Sequence, residues 1–193
     1  MAASDLELWL FRHGETAWSL SGAHTSRTDI PLTERGKERA RKIHDYLQGK
    51  TFSLVLTSPM QRARETCRIA GYGDVAQIDD DLNEWNYGVY EGRTTKDIQK
   101  EIPGWSVWTN PMIDGETIEQ VAERANRVIA RAAANGGQVA LFAHGHILRI
   151  LAACWIQSPP VMGSRLALGT GSISVLGYEH TTRVITMWNR TLD

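Results

Sequence analysis

Three short apolar runs each break off, at the carboxyl end, into a compact polar word. This recurring arrangement most limits the folds open to the chain. Leu6, Leu8, Trp9, Leu10 and Phe11 lead into Arg12-His13-Gly14-Glu15-Thr16. Phe52 to Leu56 lead into Ser58-Pro59-Met60-Gln61-Arg62, and Val139 to Ala143 lead into His144-Gly145-His146. Runs of this length bounded by turn residues read as buried strands. Gly14 allows a backbone path that a residue with a Cβ would resist. In an α/β sheet, ligands bind just beyond the carboxyl ends of parallel strands. If the three strands are parallel neighbours, Arg12, His13, Arg62 and His144 converge on one spot. Guanidinium beside imidazole suits the handling of phosphate.

Taken in order, the first strand is followed by a long polar loop, Glu15 to Leu32, without an apolar period of its own. A connection of that kind is often functional. Thr33 is the expected N-cap of a helix buried through Ala40, Ile43 and Leu47 and ended by Gly49. Ser58, Pro59 and Gln61 stand as N-cap, N1 and N3 of a second helix, a capping-box arrangement with Arg62 in its first turn. Ala63, Thr66, Cys67 and Ala70 form its inward face, Gly71 and Gly73 close it, and Val75 to Ile78 read as a third strand. Asp79 to Glu116 is the least regular stretch and holds Trp85, Trp105 and Trp108, with one short helix over Thr94 to Glu101. Thr117 and Gln120 form a capping box opening a helix with Ile118, Val121, Ala122, Ala125, Val128, Ile129 and Ala132 on one face. Asn135-Gly136-Gly137 ends it. An apolar helix, Ile147 to Ile156, follows the third polar word. Ser172 to Tyr178 and Arg183 to Trp188 read as a closing hairpin turning near His180 and Thr181. The alternation predicts an α/β fold, a three-layer αβα sandwich with a mostly parallel central sheet. It is read as one domain over residues 1–193, with a small lid-like insertion at 79–116.

Composition narrows the function classes. The 193 residues carry a formal net charge of −1, so no basic surface points to nucleic acid or anionic lipid. The longest apolar runs fall short of a membrane span, and Met1-Ala2-Ala3-Ser4-Asp5 begins no secretory signal. Cys67 and Cys154 lie in apolar helical patterns and read as buried free thiols, neither a disulfide framework nor a metal site. A reducing, cytoplasmic setting follows. No metal and no cofactor are expected, and self-association into a homodimer is left open.

The polar words, together with Thr28-Asp29-Ile30-Pro31-Leu32-Thr33, Thr57-Ser58-Pro59-Met60-Gln61-Arg62-Ala63, Leu82-Asn83-Glu84-Trp85-Asn86-Tyr87-Gly88 and Glu91-Gly92, stand in a familiar order. In them the chain resembles the histidine phosphatase superfamily, in its phosphoglycerate-mutase-like branch, across essentially its whole length. The resemblance implies that His13 is a nucleophile carrying the phosphoryl group. It implies that Arg12, Arg62 and His144 clamp the non-bridging oxygens, and that Glu84 is the general acid. Ser19, Thr25, Ser26, Tyr87, Gly145 and His146 are implied as further phosphate or substrate contacts. Two of these depart from the family pattern, which often has Asn at the position of Ser19 and Gly at that of Ser26. Glu91 competes with Glu84 for the acid role but belongs to the family's Glu-Gly turn and reads as structural. His24, His44 and His180 read as surface side chains, although His24 lies in the loop expected to face substrate; His146 reads as either a pocket or a helix-start residue, and Trp188 as core.

Mutases of this branch are longer and carry a Lys and an Arg-Arg pair in the insertion, to hold a substrate's second acidic group. Here Gly92 to Gly115 offers Arg93, Lys96 and Lys100 but no such pair. The expected partner is a small-molecule phosphomonoester, sugar-type or broad-range, hydrolysed with Trp105 and Trp108 shaping the preference. A phosphoglycerate mutase is the alternative. A non-catalytic phospho-ligand-binding module would be expected to lack His13 or Glu84, and both are present. Gly169-Thr170-Gly171 is no dinucleotide motif, since it precedes a strand rather than opening a helix.

Overall fold

The computed structural model describes residues 6–192, so Met1 to Asp5, from which the absence of a signal was read, lie outside the described residues. The chain runs β1 (Glu7–Arg12), α1 (Ala17–Ser21), α2 (Glu34–Leu47), β2 (Leu54–Thr57), α3 (Gln61–Ile69) and β3 (Gln77–Ile78). It continues with α4 (Thr95–Glu101), α5 (Ile118–Asn135), β4 (Gln138–Ala143), α6 (Gly145–Trp155), β5 (Ile173–Glu179) and β6 (Thr182–Arg190). Among the described residues the strands form one sheet in the order β3-β2-β4-β1-β5-β6. The pairs β3/β2, β2/β4 and β4/β1 are parallel, and β5 runs antiparallel to both β1 and β6. This is the expected three-layer, mostly parallel architecture.

Alternation along the strands sorts the two apolar layers. Leu8 and Leu10 of β1, with Leu56 and Leu141, face Val121, Ala125, Ile147 and Leu151 of α5 and α6. Phe11 and Phe142 point the other way, toward Ile43 of α2 and Cys67 of α3. The Phe11 and Phe142 rings stack with centroids 4.5 Å apart, a contact worth about 0.5–1.5 kcal/mol beyond the area it buries.

The register explains why the polar words meet. Arg12 pairs with Ala143 across β1 and β4, and Thr57 pairs with Phe142 across β2 and β4. His13 and His144 therefore leave the sheet side by side, with Ser58 on the far side of β4. The ladder continues one step beyond the strands, His13 N donating to Ala143 O at 3.0 Å and Ser58 N to Phe142 O at 2.9 Å.

Several local expectations are corrected. The Glu15–Leu32 segment contains α1, capped by Thr16 and Ser19 in a reciprocal box. Strand β2 begins at Leu54 rather than Phe52, and β3 keeps only Gln77 and Ile78. Helix α2 closes on Gln48 in the left-handed region (φ 46°) one residue before Gly49. Gly14 is required for close approach, because a Cβ there would collide with the Gly36 carbonyl at the start of α2. Trp188 is only partly buried at the sheet edge, its Nε1 donating to Ala167 O at 2.6 Å.

The capping box expected at Ser58 does not form. Helix α3 has Met60 at its N-cap without a side-chain bond, while the Ser58 hydroxyl meets His144 Nε2 at 2.7 Å. The cap comes from the Glu15–Leu32 segment instead: Gln61 N donates to Asp29 Oδ1 at 2.8 Å and Gln61 Nε2 to Asp29 O at 2.6 Å. Asp29→Ala should therefore cost about 1 kcal/mol, the usual worth of an N-cap, read as a lower urea midpoint at unchanged m. An unshifted midpoint would show that solvent caps α3 equally well.

The Asp79–Glu116 segment is held by Arg124 of α5. Its Nε and Nη2 reach Glu116 at 2.8 Å, and its Nη1 donates to the Asp81 and Asn83 carbonyls at 2.7 and 2.9 Å. Glu116 in turn accepts from Asn86 N at 2.9 Å, and its carbonyl accepts from Trp85 Nε1 at 2.8 Å. The backbone around Glu84 is thereby tied to a long helix. No helix among the described residues is long and apolar enough to cross a membrane.

Candidate active site

A cleft of about 180 Å³ opens above the carboxyl ends of β1 and β4, lined by Arg12, His13, Glu84, Tyr87, Gly145 and His146 among others. His13 is 6% exposed. Its Nδ1 lies 2.7 Å from the Gly14 carbonyl. A carbonyl only accepts, so Nδ1 carries the proton and Nε2 keeps its lone pair. Burial drives the ring well below the ordinary imidazole range, and the charges of Arg12 and Arg62 act in the same direction. The imidazole is thus neutral. The Gly14 N–H, donating to Thr66 Oγ1 at 3.0 Å, anchors the turn that carries it.

Glu84 reaches the cleft from the opposite side and sits on the N-terminus of α6. Its Oε1 accepts from Trp85 N and Ile147 N, and its Oε2 from His146 N, all at 2.9 Å. Unpaired amides of a first helical turn suit a carboxyl group there. Tyr87 OH is 2.7 Å from His146 Nδ1. Burial raises the tyrosine well above its usual value, the Glu84 charge adding to it. Burial also holds His146 well below its own, with Arg149 next in effect.

The three expected clamp residues are not equally placed. Arg12 lines the cleft, donating from Nη1 to the Leu168 carbonyl, and its buried Nε has no partner among the described residues. Arg62 is fully buried and does not line the cleft. Its Nε donates to His144 Nδ1 at 3.1 Å, Nη1 to Thr28 O at 3.1 Å and Nη2 to Ser26 O at 2.9 Å. Since Arg62 must donate, His144 Nδ1 accepts and its Nε2–H faces Ser58 Oγ. His144 is therefore neutral, and burial followed by the Arg62 charge lowers it well below its usual range. Its ring centroid lies 5.2 Å from that of His13.

Of the remaining expected contacts, Ser19, Thr25, Tyr87, Gly145 and His146 line the cleft. Ser19 Oγ also takes part in the α1 cap, accepting from Thr16 N at 2.8 Å while donating to Thr16 O at 2.9 Å. Ser26 lies behind the lining, its hydroxyl donating to Glu84 O at 3.3 Å. Glu91 accepts from the Ser26 and Thr28 amides, which fits a structural part. Trp105 and Trp108 do not line the cleft. Trp105 is 1% exposed and packs on Tyr90 and His24. Trp108 packs at a tilt against His146, centroids 5.1 Å apart. Trp105 is drawn into the core one layer back, and Trp108 is partly buried against it.

Two further lining residues are His24 and Arg149. His24, expected at the surface of a substrate-facing loop, is 9% exposed and packs at a tilt against Tyr87, centroids 4.9 Å apart. Burial lowers it to about 4. Arg149 escaped the sequence reading. The signal for it was present, since it is the one charged residue in an otherwise apolar helix, where a cation seldom sits without a partner. His44 and His180 are exposed, as expected.

Known proteins resemble this chain in sequence and in fold. The sequence profile of the histidine phosphatase superfamily (branch 1) matches residues 8–191. An acid phosphatase of Mycobacterium tuberculosis is 37% identical over 195 residues, covering 99% of this chain and 96% of that protein. A sedoheptulose 1,7-bisphosphatase of Saccharomyces cerevisiae is 35% identical over 179 residues, 76% of this chain and 66% of that one. A solved structure of an open reading frame from Mycobacterium tuberculosis superposes with a TM-score of 0.90 at 37% identity, covering 96% and 97% of the two chains. The chain belongs to the histidine phosphatase superfamily, branch 1.

Proposed function

We propose that this protein hydrolyses phosphomonoesters of small molecules, sugar-type and similar, through a phosphohistidine formed on His13 Nε2. The observation that carries the reading is the state of the His13 ring. It is neutral, tied at Nδ1 to Gly14 O, and has an Nε2 with no partner among the described residues on the wall of the cleft. In the first step the Nε2–P bond forms as the ester P–O bond breaks, and the departing oxygen takes a proton from Glu84. In the second, Glu84 takes a proton from water, whose oxygen attacks phosphorus and releases His13. Charge on the transferring group is met by the Arg12 guanidinium, whose buried, unpartnered Nε is a donor in need of an anion. Arg62, bonded to His144, adds positive charge close enough to act on His13, and these two cations supply what a metal ion would otherwise contribute. Free thiols at Cys67 and Cys154 support a reducing, cytoplasmic setting.

The test is an acid-free quench of turnover with labelled substrate. Label should appear on a peptide containing His13, stable to base and lost in acid. Label elsewhere, or hydrolysis with no trapped species under any substrate, would refute the route. The lowered imidazole also sets a pH dependence. A pKa below the ordinary 6.5 keeps His13 in its nucleophilic neutral form as the pH falls through 6.5. NMR titration of the ring should find its midpoint below that value, and a midpoint at or above 6.5 would contradict the buried, cation-flanked environment.

A further inference from the structure

Helix α6 is apolar from Gly145 to Trp155 except for His146 and the charged Arg149. Arg149 follows Gly145 by four residues, so the two share a helix face about 6 Å apart, and both line the cleft. The side chain is held in place. Its Nε donates to Gly163 O at 2.9 Å and its Nη2 to Ser164 O at 3.2 Å. The guanidinium lies over the Trp108 ring, 4.5 Å from its centroid, and Trp108 is backed by Trp85 and His146. Nη1 has no hydrogen-bond partner, and Arg149 makes no ion pair among the described residues. Arg124 shows what a structural arginine does in this chain, with all three nitrogens used and a carboxylate against it. Arg149 instead uses two nitrogens and a stacking partner to orient the third.

We propose that Arg149 anchors a second anionic group, a carboxylate or another phosphate, on the leaving-group side of the substrate. The favoured substrates are then phosphomonoesters that carry a further anion a few carbons away. This rests on the cleft being a phosphohydrolase site, and it places the second cation on α6 rather than in the insertion. Arg12 and Arg149 both line a cleft of about 180 Å³, which has room for a short skeleton carrying an anion at each end. A guanidinium suits the task because its planar fork binds carboxylate or phosphate with more than one hydrogen bond and keeps its charge when buried. Trp108 becomes a positioning residue: it does not reach the cleft, yet it governs preference by holding Arg149.

The experiment is calorimetric binding to His13→Ala, which holds ligand without turning it over. Two matched pairs serve as probes: 3-phosphoglycerate with glycerol 3-phosphate, and fructose 1,6-bisphosphate with fructose 1-phosphate. At least one doubly anionic member should bind about tenfold more tightly than its partner, the scale of a charge-assisted bidentate contact. The responsive pair distinguishes carboxylate from phosphate. Adding Arg149→Met should bring that ratio close to one, whereas Arg149→Lys should keep part of it. Trp108→Leu should lower the ratio and Trp108→Phe restore it. Equal binding within both pairs, or a ratio that survives Arg149→Met, overturns the proposal. Should Arg149→Met fail to fold, Arg149→Gln carries the same comparison. Turnover by the unmodified chain is scored separately. Its absence alongside an Arg149-dependent ratio would sink the hydrolase reading and support the anion anchor.

Discussion

His13→Ala should abolish phosphoenzyme and turnover together, with a loss of roughly 10⁴–10⁶-fold, the range seen when a covalent nucleophile is removed from an organised site. The size follows from the isolation of the ring. His144, 5.2 Å away between centroids, cannot substitute, because one of its nitrogens accepts from Arg62 and the other faces Ser58. His146 and His24 line the cleft, but His146 Nδ1 is bonded to Tyr87 and His24 Nε2 lies 3.2 Å from Thr95 Oγ1. The substitution leaves the turn itself intact, since the His13 amide bond to Ala143 and the Gly14 amide bond to Thr66 are made by the backbone. Circular dichroism and unfolding midpoints should therefore stay close to those of the parent. Phosphoryl labelling of the alanine variant at normal rate would remove His13 from the mechanism.

Glu84→Gln should separate substrates by leaving group. A sugar or glycerol alkoxide must be protonated as it departs, so loss of the acid should slow phosphoryl transfer by roughly 10²–10⁴-fold. Nitrophenolate leaves without help, and transfer from p-nitrophenyl phosphate should fall far less. Glutamine keeps the shape but not all the bonds. Its carbonyl oxygen can retain the Trp85 and Ile147 amides, while its NH₂ would face the His146 amide that now donates to Oε2. The remaining two bonds should hold the side chain near its place. Breakdown of the phosphoenzyme still requires the missing base, so the intermediate should accumulate as a burst with the nitrophenyl ester. Equal losses in the first step for good and poor leaving groups would show that Glu84 is not the acid. Glu91, whose carboxylate accepts from the Ser26 and Thr28 amides, is too occupied to be an attractive replacement.

What could be read directly from the chain is what short-range physics decides. The Thr117–Gln120 capping box forms, and α5 buries the face from Val121 to Ala132 that its spacing marks out. The hairpin turns at His180, where φ is 55°. Periodicity, caps and turns are settled by residues within a few positions of one another, so their signal survives in any context. The polar words at the strand ends were legible for the same reason, and the resemblance they carry extended to His13, Arg12 and Glu84.

Tertiary structure decided whatever depended on distant partners. Ser58 has a good local cap sequence, yet its hydroxyl goes to His144, 86 positions away, and Asp29 caps α3 in its stead. His24 looks like a surface residue until Tyr87 and Trp105 pack against it, and Arg149 takes its orientation from Trp108, Gly163 and Ser164. Above all, β4 comes between β1 and β2, which brings His13, His144 and Ser58 into one row. Backbone ladders bind any neighbour about equally well, so strand order is chosen by the fit of whole faces, Leu8 and Leu10 on one side and Phe11 on the other, against helices far along the chain. By itself the sequence determined which residues could do phosphate chemistry. The summed packing of the two apolar layers decided which of them face the cleft and which stand behind it.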